Sequence, residues 1–132
     1  MVSSMAEDPK DWSYTSHIGK DLRGVDLSGA DLRRAVFDRA DLEGADLSGA
    51  DMRKASFKGA NLMKAAFDEA DMRDAVFLKA KMNLSNFQGS KLDGADLRGI
   101  RGRYAIWRNP LALKSIHSST QSLGSCSLCP SF

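Results

Sequence analysis

Few residues of this chain carry side chains that could catalyse a reaction or bind a metal. The histidines are His17 and His117, and Cys126 and Cys129 form a Cys-x-x-Cys motif. Such cysteines serve as redox pairs or as half of a zinc site, but a zinc site needs four ligands and only His117 is near. We therefore expect incidental thiols, no metal and no cofactor.

The carboxylates are numerous but recur at regular positions, which is typical of a solvated surface and not of a converging catalytic site. The sequence also lacks a phosphate-binding loop, because its glycines follow a regular spacing and serve turns. These features predict that the protein is not an enzyme.

Length and composition narrow the class of protein further. The 132 residues suit one domain, and 19 basic against 17 acidic residues leave a net charge of only +2. The sequence contains no run of 18 apolar residues, so it predicts no membrane-spanning helix. The first residues lack the features of a secretory signal. We expect a soluble protein, cytoplasmic by default, that does not bind membranes.

The elements that must position the surface groups follow a strict repeat of five residues. A large apolar residue, here called the centre, recurs at every fifth position without exception. The centres are Leu22, Leu27, Leu32, Phe37, Leu42, Leu47, Met52, Phe57, Leu62, Phe67, Met72, Phe77, Met82, Phe87, Leu92 and Leu97. Alanine stands two residues before the centre in the unbroken series from Ala30 to Ala80, and Asp or Asn often stands one before it.

A period of five fits neither regular element. Successive centres would drift by about 140° around an α-helix, and an odd period alternates faces on a flat strand. The pattern is consistent if the chain turns by about 90° after each pentad, so that four pentads close a square coil. A second period of twenty supports this, since Phe37, Phe57 and Phe77 are twenty apart. The centres and alanines then point inward, in an all-β solenoid of about four coils.

The pentads Ala40–Gly44 and Ala45–Gly49, which read A-D-L-x-x, resemble the pentapeptide-repeat family. That resemblance implies a right-handed, four-sided β-helix and a non-enzymatic structural or protein-interaction module. Some members mimic DNA and inhibit DNA gyrase, but they are strongly acidic, and residues 20–99 here carry equal numbers of acids and bases. Other relatives are regulatory or assembly proteins of cyanobacteria and of the chloroplast thylakoid lumen, which gives an alternative function and location.

The composition divides the chain into four segments. We predict an N-terminal arm or cap over 1–19, the β-helix over 20–100, a C-terminal cap with a short helix over 101–117, and a disordered tail over 118–132. Trp12, Tyr14 and Ile18 could cover the first coil, and Asn109 with Pro110 favours a helix start. The C-terminal end could alternatively mediate homodimerisation. Ser85 and Ser90 replace alanine, which predicts a looser fourth coil because a buried hydroxyl needs a partner.

One outer side of the coil is predicted to carry a basic stripe, formed by Arg33, Arg34, Arg53, Lys54 and Arg73. It could be a docking site for an unknown protein partner with an acidic surface. Alternatively, Asp31, Asp51 and Asp71, each two residues before an arginine, neutralise it. Nucleic acid is an unlikely partner, because the basic residues after residue 100 are too few.

Overall fold

The computed structural model describes residues 10–106, which wind into a coil of twenty residues per turn. Sixteen isolated parallel bridges in this range each join a residue to the one twenty positions later, from Asp11↔Asp31 to Asn86↔Ile106. The backbone therefore pairs through single bridges at each side of the coil instead of long strands. Within the same range, no helix is long and apolar enough to cross a membrane.

Each pentad has five positions, illustrated by Ala30, Asp31, Leu32, Arg33 and Arg34. They are the inner small residue, the bridge residue, the centre, the first turn residue and the second turn residue. The chain turns because the N–H of the next inner residue donates to the carbonyl of the centre three positions earlier, as from Ala35 to Leu32 at 3.1 Å. The right-angle bend predicted after each quintet is therefore a hydrogen-bonded β-turn.

Within residues 10–106, the second turn residue always has a positive φ. Nine of these residues are glycines and ten are not, among them Arg34 at 58° and Leu84 at 64°. A left-handed residue at this position is the mark of a type II turn and favours glycine or asparagine. The corners of the coil thus carry backbone strain wherever another residue stands there.

Hydrogen bonds between coils hold the stack together. The Asp51 N–H donates to the Ala30 carbonyl at 2.9 Å, and the Asp51 carbonyl accepts from the Leu32 N–H at 2.8 Å. A third bond joins the turns, with the Arg34 N–H donating to the Arg53 carbonyl at 3.1 Å. Since each coil bonds only to its neighbours, stability is a sum of nearest-neighbour terms.

The four sides of the coil are named by their columns of centres. Face A has Trp12, Leu32, Met52, Met72 and Leu92; face B has His17, Phe37, Phe57, Phe77 and Leu97; face C has Leu22, Leu42, Leu62, Met82 and Gly102; face D has Leu27, Leu47, Phe67 and Phe87. Faces B and D are two turns apart along the chain and so lie on opposite sides of the square.

The core fills the bore of the coil. Of the predicted centres, all are buried except Leu22, which is half-buried at the open first coil. The alanines from Ala30 to Ala80 are at most 1% exposed. On face B, Phe57 stacks on Phe37 and Phe77 with ring centroids 5.0 and 5.1 Å apart, and on face D Phe67 stacks on Phe87 at 4.8 Å. These rings form two continuous aromatic columns.

The two serines at inner positions do not loosen the coil. Ser85 and Ser90 are fully buried, and their hydroxyls donate to the carbonyls of Met82 and Phe87 at 2.6 and 2.8 Å. The N–H of each serine donates to the same carbonyl as its hydroxyl, at 3.2 and 3.1 Å. The turn itself therefore supplies the partner that a buried hydroxyl requires.

The coil extends beyond both predicted boundaries, over residues 10–106. Trp12 and His17 occupy centre positions, so residues 10–19 form half of a further coil instead of a cap over the first one, and the stack has nearly five coils. Tyr14 and Ile18 are turn residues that face solvent, 70% and 51% exposed. At the other end, residues 101–106 continue the frame with Gly102 at a centre. The predicted helix within 101–117 and the tail over 118–132 lie outside the described residues.

Candidate functional site

The outer columns of face A bring the predicted basic stripe together. Arg33, Arg53 and Arg73 are first turn residues, stacked one coil apart, and Arg34 and Lys54 stand beside them as second turn residues. The five side chains thus share one face over three successive coils. Their availability for a partner depends on what they contact.

Each of the three first-turn arginines binds the aspartate of its own pentad through two bonds. Arg53 donates from Nε to Asp51 Oδ1 at 2.9 Å and from Nη2 to Asp51 Oδ2 at 2.7 Å. Arg33 with Asp31 and Arg73 with Asp71 repeat this bidentate geometry. The aspartates that precede the stripe therefore neutralise it laterally.

The pairs also connect from coil to coil. Arg33 Nε lies 4.0 Å from Asp51 Oδ2, and Arg53 Nε lies 3.8 Å from Asp71 Oδ2. Hydrogen bonds from Arg33 and Arg73 lower the pKa of Asp31 and Asp71 respectively, against the opposing effect of burial. The same pairs raise the pKa of all three arginines. Face A is a ladder of alternating charges.

The arrangement depends on a local sequence pattern. Wherever an aspartate at the bridge position is followed two residues later by arginine, the two side chains pair, as in Asp21–Arg23 at 2.7 Å and Asp96–Arg98 at 2.7 Å. The hydrogen bonds from Arg23 lower the pKa of Asp21 to about 2. In contrast, the second turn residues Arg34 and Lys54 form no ion pair with any residue in 10–106.

Face B carries the cations that sequence reasoning missed. A surface recess of about 300 Å³ is lined by Asp38, Arg39, Lys58, Gly59, Leu78 and Lys79. Among the described residues, Arg39, Lys58 and Lys79 have no ion-pair partner. For Lys58 the sequence carried a signal, because the bridge residue of its pentad is Ser56 and not an aspartate. Arg39 and Lys79 are second turn residues like Arg34 and Lys54, and it is that position which predicts a cation without an ion pair.

Face D has the opposite charge. Its outer positions include Asp26, Asp46, Asp68 and Glu69 and no lysine or arginine within residues 10–106. Asp26 is paired with Lys10 at 3.5 Å. Asp68 Oδ1 is buried and finds no hydrogen-bond partner in the described part of the chain, while Oδ2 accepts from Asn86 at 3.4 Å.

His17 is the only histidine in residues 10–106, a range that contains no cysteine, and it stands at a centre position of the coil. Its ring stacks on Phe37 with centroids 5.1 Å apart, and Nε2 lies 2.8 Å from the Thr15 hydroxyl. Burial, with a smaller effect of the Lys20 charge, lowers its pKa. Residues 10–106 hold no group of three His, Cys, Asp or Glu side chains suited to a metal, and His117, Cys126 and Cys129 lie outside that range.

The remaining outward apolar residues are scattered. Leu84 is half-exposed, at 50%, whereas Val36, Met63, Val76 and Leu78 are half-buried between their polar neighbours. Isolated apolar residues of this kind are normal on a protein surface. Charge, more than apolar area, therefore distinguishes the four faces.

Bridges at intervals of twenty, a turn after every pentad and an apolar bore define a four-sided β-solenoid. The family model for pentapeptide repeats (8 copies) matches residues 21–59 and 60–99, more than half of the chain. The chain belongs to the pentapeptide-repeat family, whose members fold as right-handed quadrilateral β-helices. The four-sided coil predicted from the spacing and the right-handed β-helix implied by the resemblance are both confirmed.

Solved structures give the same fold. The chain is similar to HetL, a pentapeptide repeat protein of the cyanobacterium Nostoc sp. strain PCC 7120 involved in heterocyst differentiation regulation, with a TM-score of 0.55 and 23% identity over 69% of this chain and 40% of HetL. It is similar also to Rfr23 of the cyanobacterium Cyanothece 51142, with a TM-score of 0.51 and 20% identity over 68% of this chain and 85% of Rfr23. The chain therefore spans less than half of HetL. None of the curated protein sequences matches it.

Proposed function

We propose that this protein is a non-enzymatic scaffold that binds a protein partner through its charged outer columns. The predicted stripe of Arg33, Arg34, Arg53, Lys54 and Arg73 is the candidate docking site on face A. Its arginines are held in fixed positions by Asp31, Asp51 and Asp71, so a partner would meet a preorganised pattern of charges. Arg34 and Lys54 are the cations of the stripe that are left to pair with a partner's carboxylates.

The observation that carries this proposal is the division of labour within each pentad. From Leu27 onward the inner residues and centres are buried, so over that part of the coil the bridge and turn residues alone are available to distinguish this protein from another coil of the same shape. Function on a repeat scaffold of this kind depends on such outward columns. Charge complementarity then sets specificity and the rate of encounter.

A pull-down from the source organism tests the proposal with matched variants. The stripe variant replaces Arg34 and Lys54 by Glu, and the control variant replaces Lys64 and Lys81 by Glu, which makes the same change of charge on face C. Circular dichroism first establishes that both variants are folded. We expect a partner that the wild type and the control retain and the stripe variant loses.

Two results would contradict the proposal. If all three baits recover the same proteins, the stripe is not the docking site. If the purified protein inhibits the supercoiling activity of DNA gyrase at micromolar concentration, the alternative of a DNA-mimicking inhibitor is correct instead. Neither result depends on knowing the partner beforehand.

A further inference from the structure

The recess on face B is a gap between two cations. Arg39, Gly59 and Lys79 follow one another in the same column, so the two basic side chains are two coil spacings apart, about 10 Å. A Cβ atom added at Gly59 would lie 3.5 Å from Arg39 Cγ, so the Arg39 stem forms one wall of the gap. Lys58 and Leu78 complete the recess as first turn residues.

The local carboxylate does not neutralise this recess. Asp38 accepts from the Ser56 hydroxyl at 2.5 Å and from the Lys58 backbone N–H at 3.1 Å, and it forms no ion pair in residues 10–106. The ammonium and guanidinium groups around the gap are thus available to an external anion. Leu78 adds apolar surface beside them.

Face D offers the complementary shape and charge. Its second turn column consists of Gly29, Gly49, Glu69 and Gly89, so Glu69 is the one side chain in that column, and a Cβ atom added at Gly89 would lie 3.1 Å from Glu69 Cγ. Asp68 precedes Glu69 in the first turn column with its Oδ1 buried, and Asp46 stands in the bridge column one coil earlier. The carboxylates of Glu69 and Asp46, which form no ion pair in the described range, thus lie on the opposite side of the molecule from Arg39 and Lys79.

We infer that copies of this protein associate side by side, with Glu69 of one copy inserted between Arg39 and Lys79 of the next. The two faces have the same coil spacing, since both belong to the same solenoid, and their charges therefore stay in register when the coils lie side by side. Because faces B and D are opposite, the contact is heterologous and each added copy presents a new free face. The expected product is an open row of molecules.

The contact is small and polar. A single face about five coils tall, roughly 24 Å, provides a contact in the size class of transient complexes. Exposed ion pairs are individually weak and are screened by salt. The rows should therefore form at low ionic strength and high protein concentration, and dissociate when salt is added.

Sedimentation of the full chain provides the test, at about 0.01 M salt and at about 1 M salt. The face B variant is Arg39→Glu with Lys79→Glu, and the face D variant is Asp46→Lys with Glu69→Lys. The matched controls are Arg34→Glu with Lys54→Glu on face A, and Lys64→Glu with Lys81→Glu on face C. The second turn position already holds lysine at Lys54 and glutamate at Glu69, so both residues fit there. Lys81 shows that lysine also fits the bridge position, where Asp46 stands.

A fourfold variant combines the face B and face D changes. It exchanges two cations for anions and two anions for cations, so its net charge equals the wild-type value of +2. Its faces still complement each other, with the signs exchanged. Restored association in this variant separates specific pairing from an effect of net charge.

We expect the wild type, both controls and the fourfold variant to sediment faster as concentration rises at low salt. The face B and face D variants should remain monomeric under the same conditions. A wild type that stays monomeric at low salt overturns the inference. So does a control on face A or C that loses association as completely as the face B variant, or a fourfold variant that fails to regain it.

Discussion

Faces A and B are adjacent sides of one solenoid and use their arginines and lysines in opposite ways. On face A, bridge aspartates such as Asp51 hold the arginines in a ladder of ion pairs that extends over three coils. On face B, Val36, Ser56 and Val76 stand at the bridge positions, and the basic residues of these pentads have no ion pair in residues 10–106. The residue two positions before a first-turn cation therefore determines whether that cation is available for binding.

This contrast shows that the number of charges on a face is a poor guide to its binding capacity. Within residues 10–106, face A carries six arginines and lysines at its outer positions and face B four, but ion pairs leave three of them without a partner on each face. The geometry responsible is local, since a bidentate pair of residues i and i+2 needs only the bend of a single pentad. For first turn cations, the available charges can thus be read from the bridge positions, whereas second turn cations form no ion pair within residues 10–106.

The largest expected effect concerns the columns beneath the two faces. Phe57 has a stacked ring above and below it on face B, whereas Met52 on face A has aliphatic neighbours in its column. We expect Phe57→Ala to lower the free energy of unfolding by about 3–5 kcal/mol, because it removes both stacks and leaves a cavity. Urea unfolding measures the free energy of unfolding of Phe57→Ala and of Met52→Ala. If Met52→Ala loses more free energy than Phe57→Ala, the aromatic column adds nothing to the stability of face B.

The second effect concerns the end of the same column. His17 lies on Phe37, and its pKa is below 6.5 in the folded protein because burial and Lys20 disfavour the imidazolium. The unfolded chain therefore binds more protons near that pH, and stability should fall as pH drops below about 6.5. Replacing His17 by Phe should abolish this dependence and add about 0.5–1.5 kcal/mol through stacking.

A matched variant separates the two contributions of His17. His17→Leu also removes the titrating group but provides no ring to stack on Phe37. Urea midpoints on either side of pH 6.5 should be independent of pH for both variants, with the higher midpoint for Phe. Equal midpoints for Phe and Leu would mean that the aromatic column effectively ends at Phe37.

The sequence predicts the interior of this molecule well and its ends and surface less well. A strict spacing of five is a steric requirement of a narrow bore, so the sixteen centres and their alanines could be placed without a structure. The requirement weakens at the open first coil, where Lys10, Thr15 and Lys20 stand at inner positions and His17 at a centre. The five-residue repeat can still be recognised there, because Asp11 followed by Trp12 matches the pattern of Asp21 followed by Leu22, an aspartate before a large apolar residue.

The surface was harder to predict because it depends on which side chains pair. A column of basic residues on face A suggests a binding stripe, but the aspartates two residues earlier bind most of it. The recess on face B depends on a missing side chain at Gly59 and on a carboxylate, Asp38, that Ser56 and the Lys58 backbone occupy. Such contacts between coils need coordinates, although the pairing of residues i and i+2 does not.

The third effect tests the ladder of face A through acid. The pKa of Asp31 and Asp71 is lower in the folded protein than its ordinary value of 3.8, because Arg33 and Arg73 bind the ionised form. Their contribution to the free energy of unfolding is therefore fully present above about pH 3.8 and is lost as the pH falls below that value. Asp31→Asn with Asp71→Asn should lower the melting temperature at neutral pH, by less than His17→Phe raises it, and should flatten its decline in acid.

The control for this experiment uses aspartates without an arginine partner. Asp11→Asn with Asp46→Asn makes the same change of charge on faces A and D, at bridge positions followed two residues later by serine and without an ion pair in residues 10–106. Its melting temperature should keep the acid decline of the wild type. If the two double variants behave alike in acid, the ladder does not contribute to stability and face A differs from face B in appearance only.

The smallest effect separates the strain of a turn from the charge on it. Lys54 on face A and Lys79 on face B both hold the left-handed conformation, with φ of 61° and 60°, which asparagine tolerates better than lysine. Each Lys→Asn change should raise the free energy of unfolding by less than ~1 kcal/mol, and by equal amounts, because the strain belongs to the backbone and not to the face. Only Lys79→Asn should weaken association at low salt, since Lys79 borders the recess and Lys54 does not. Unequal stabilities, or equal losses of association, would show that turn strain and surface charge are not independent on these two faces.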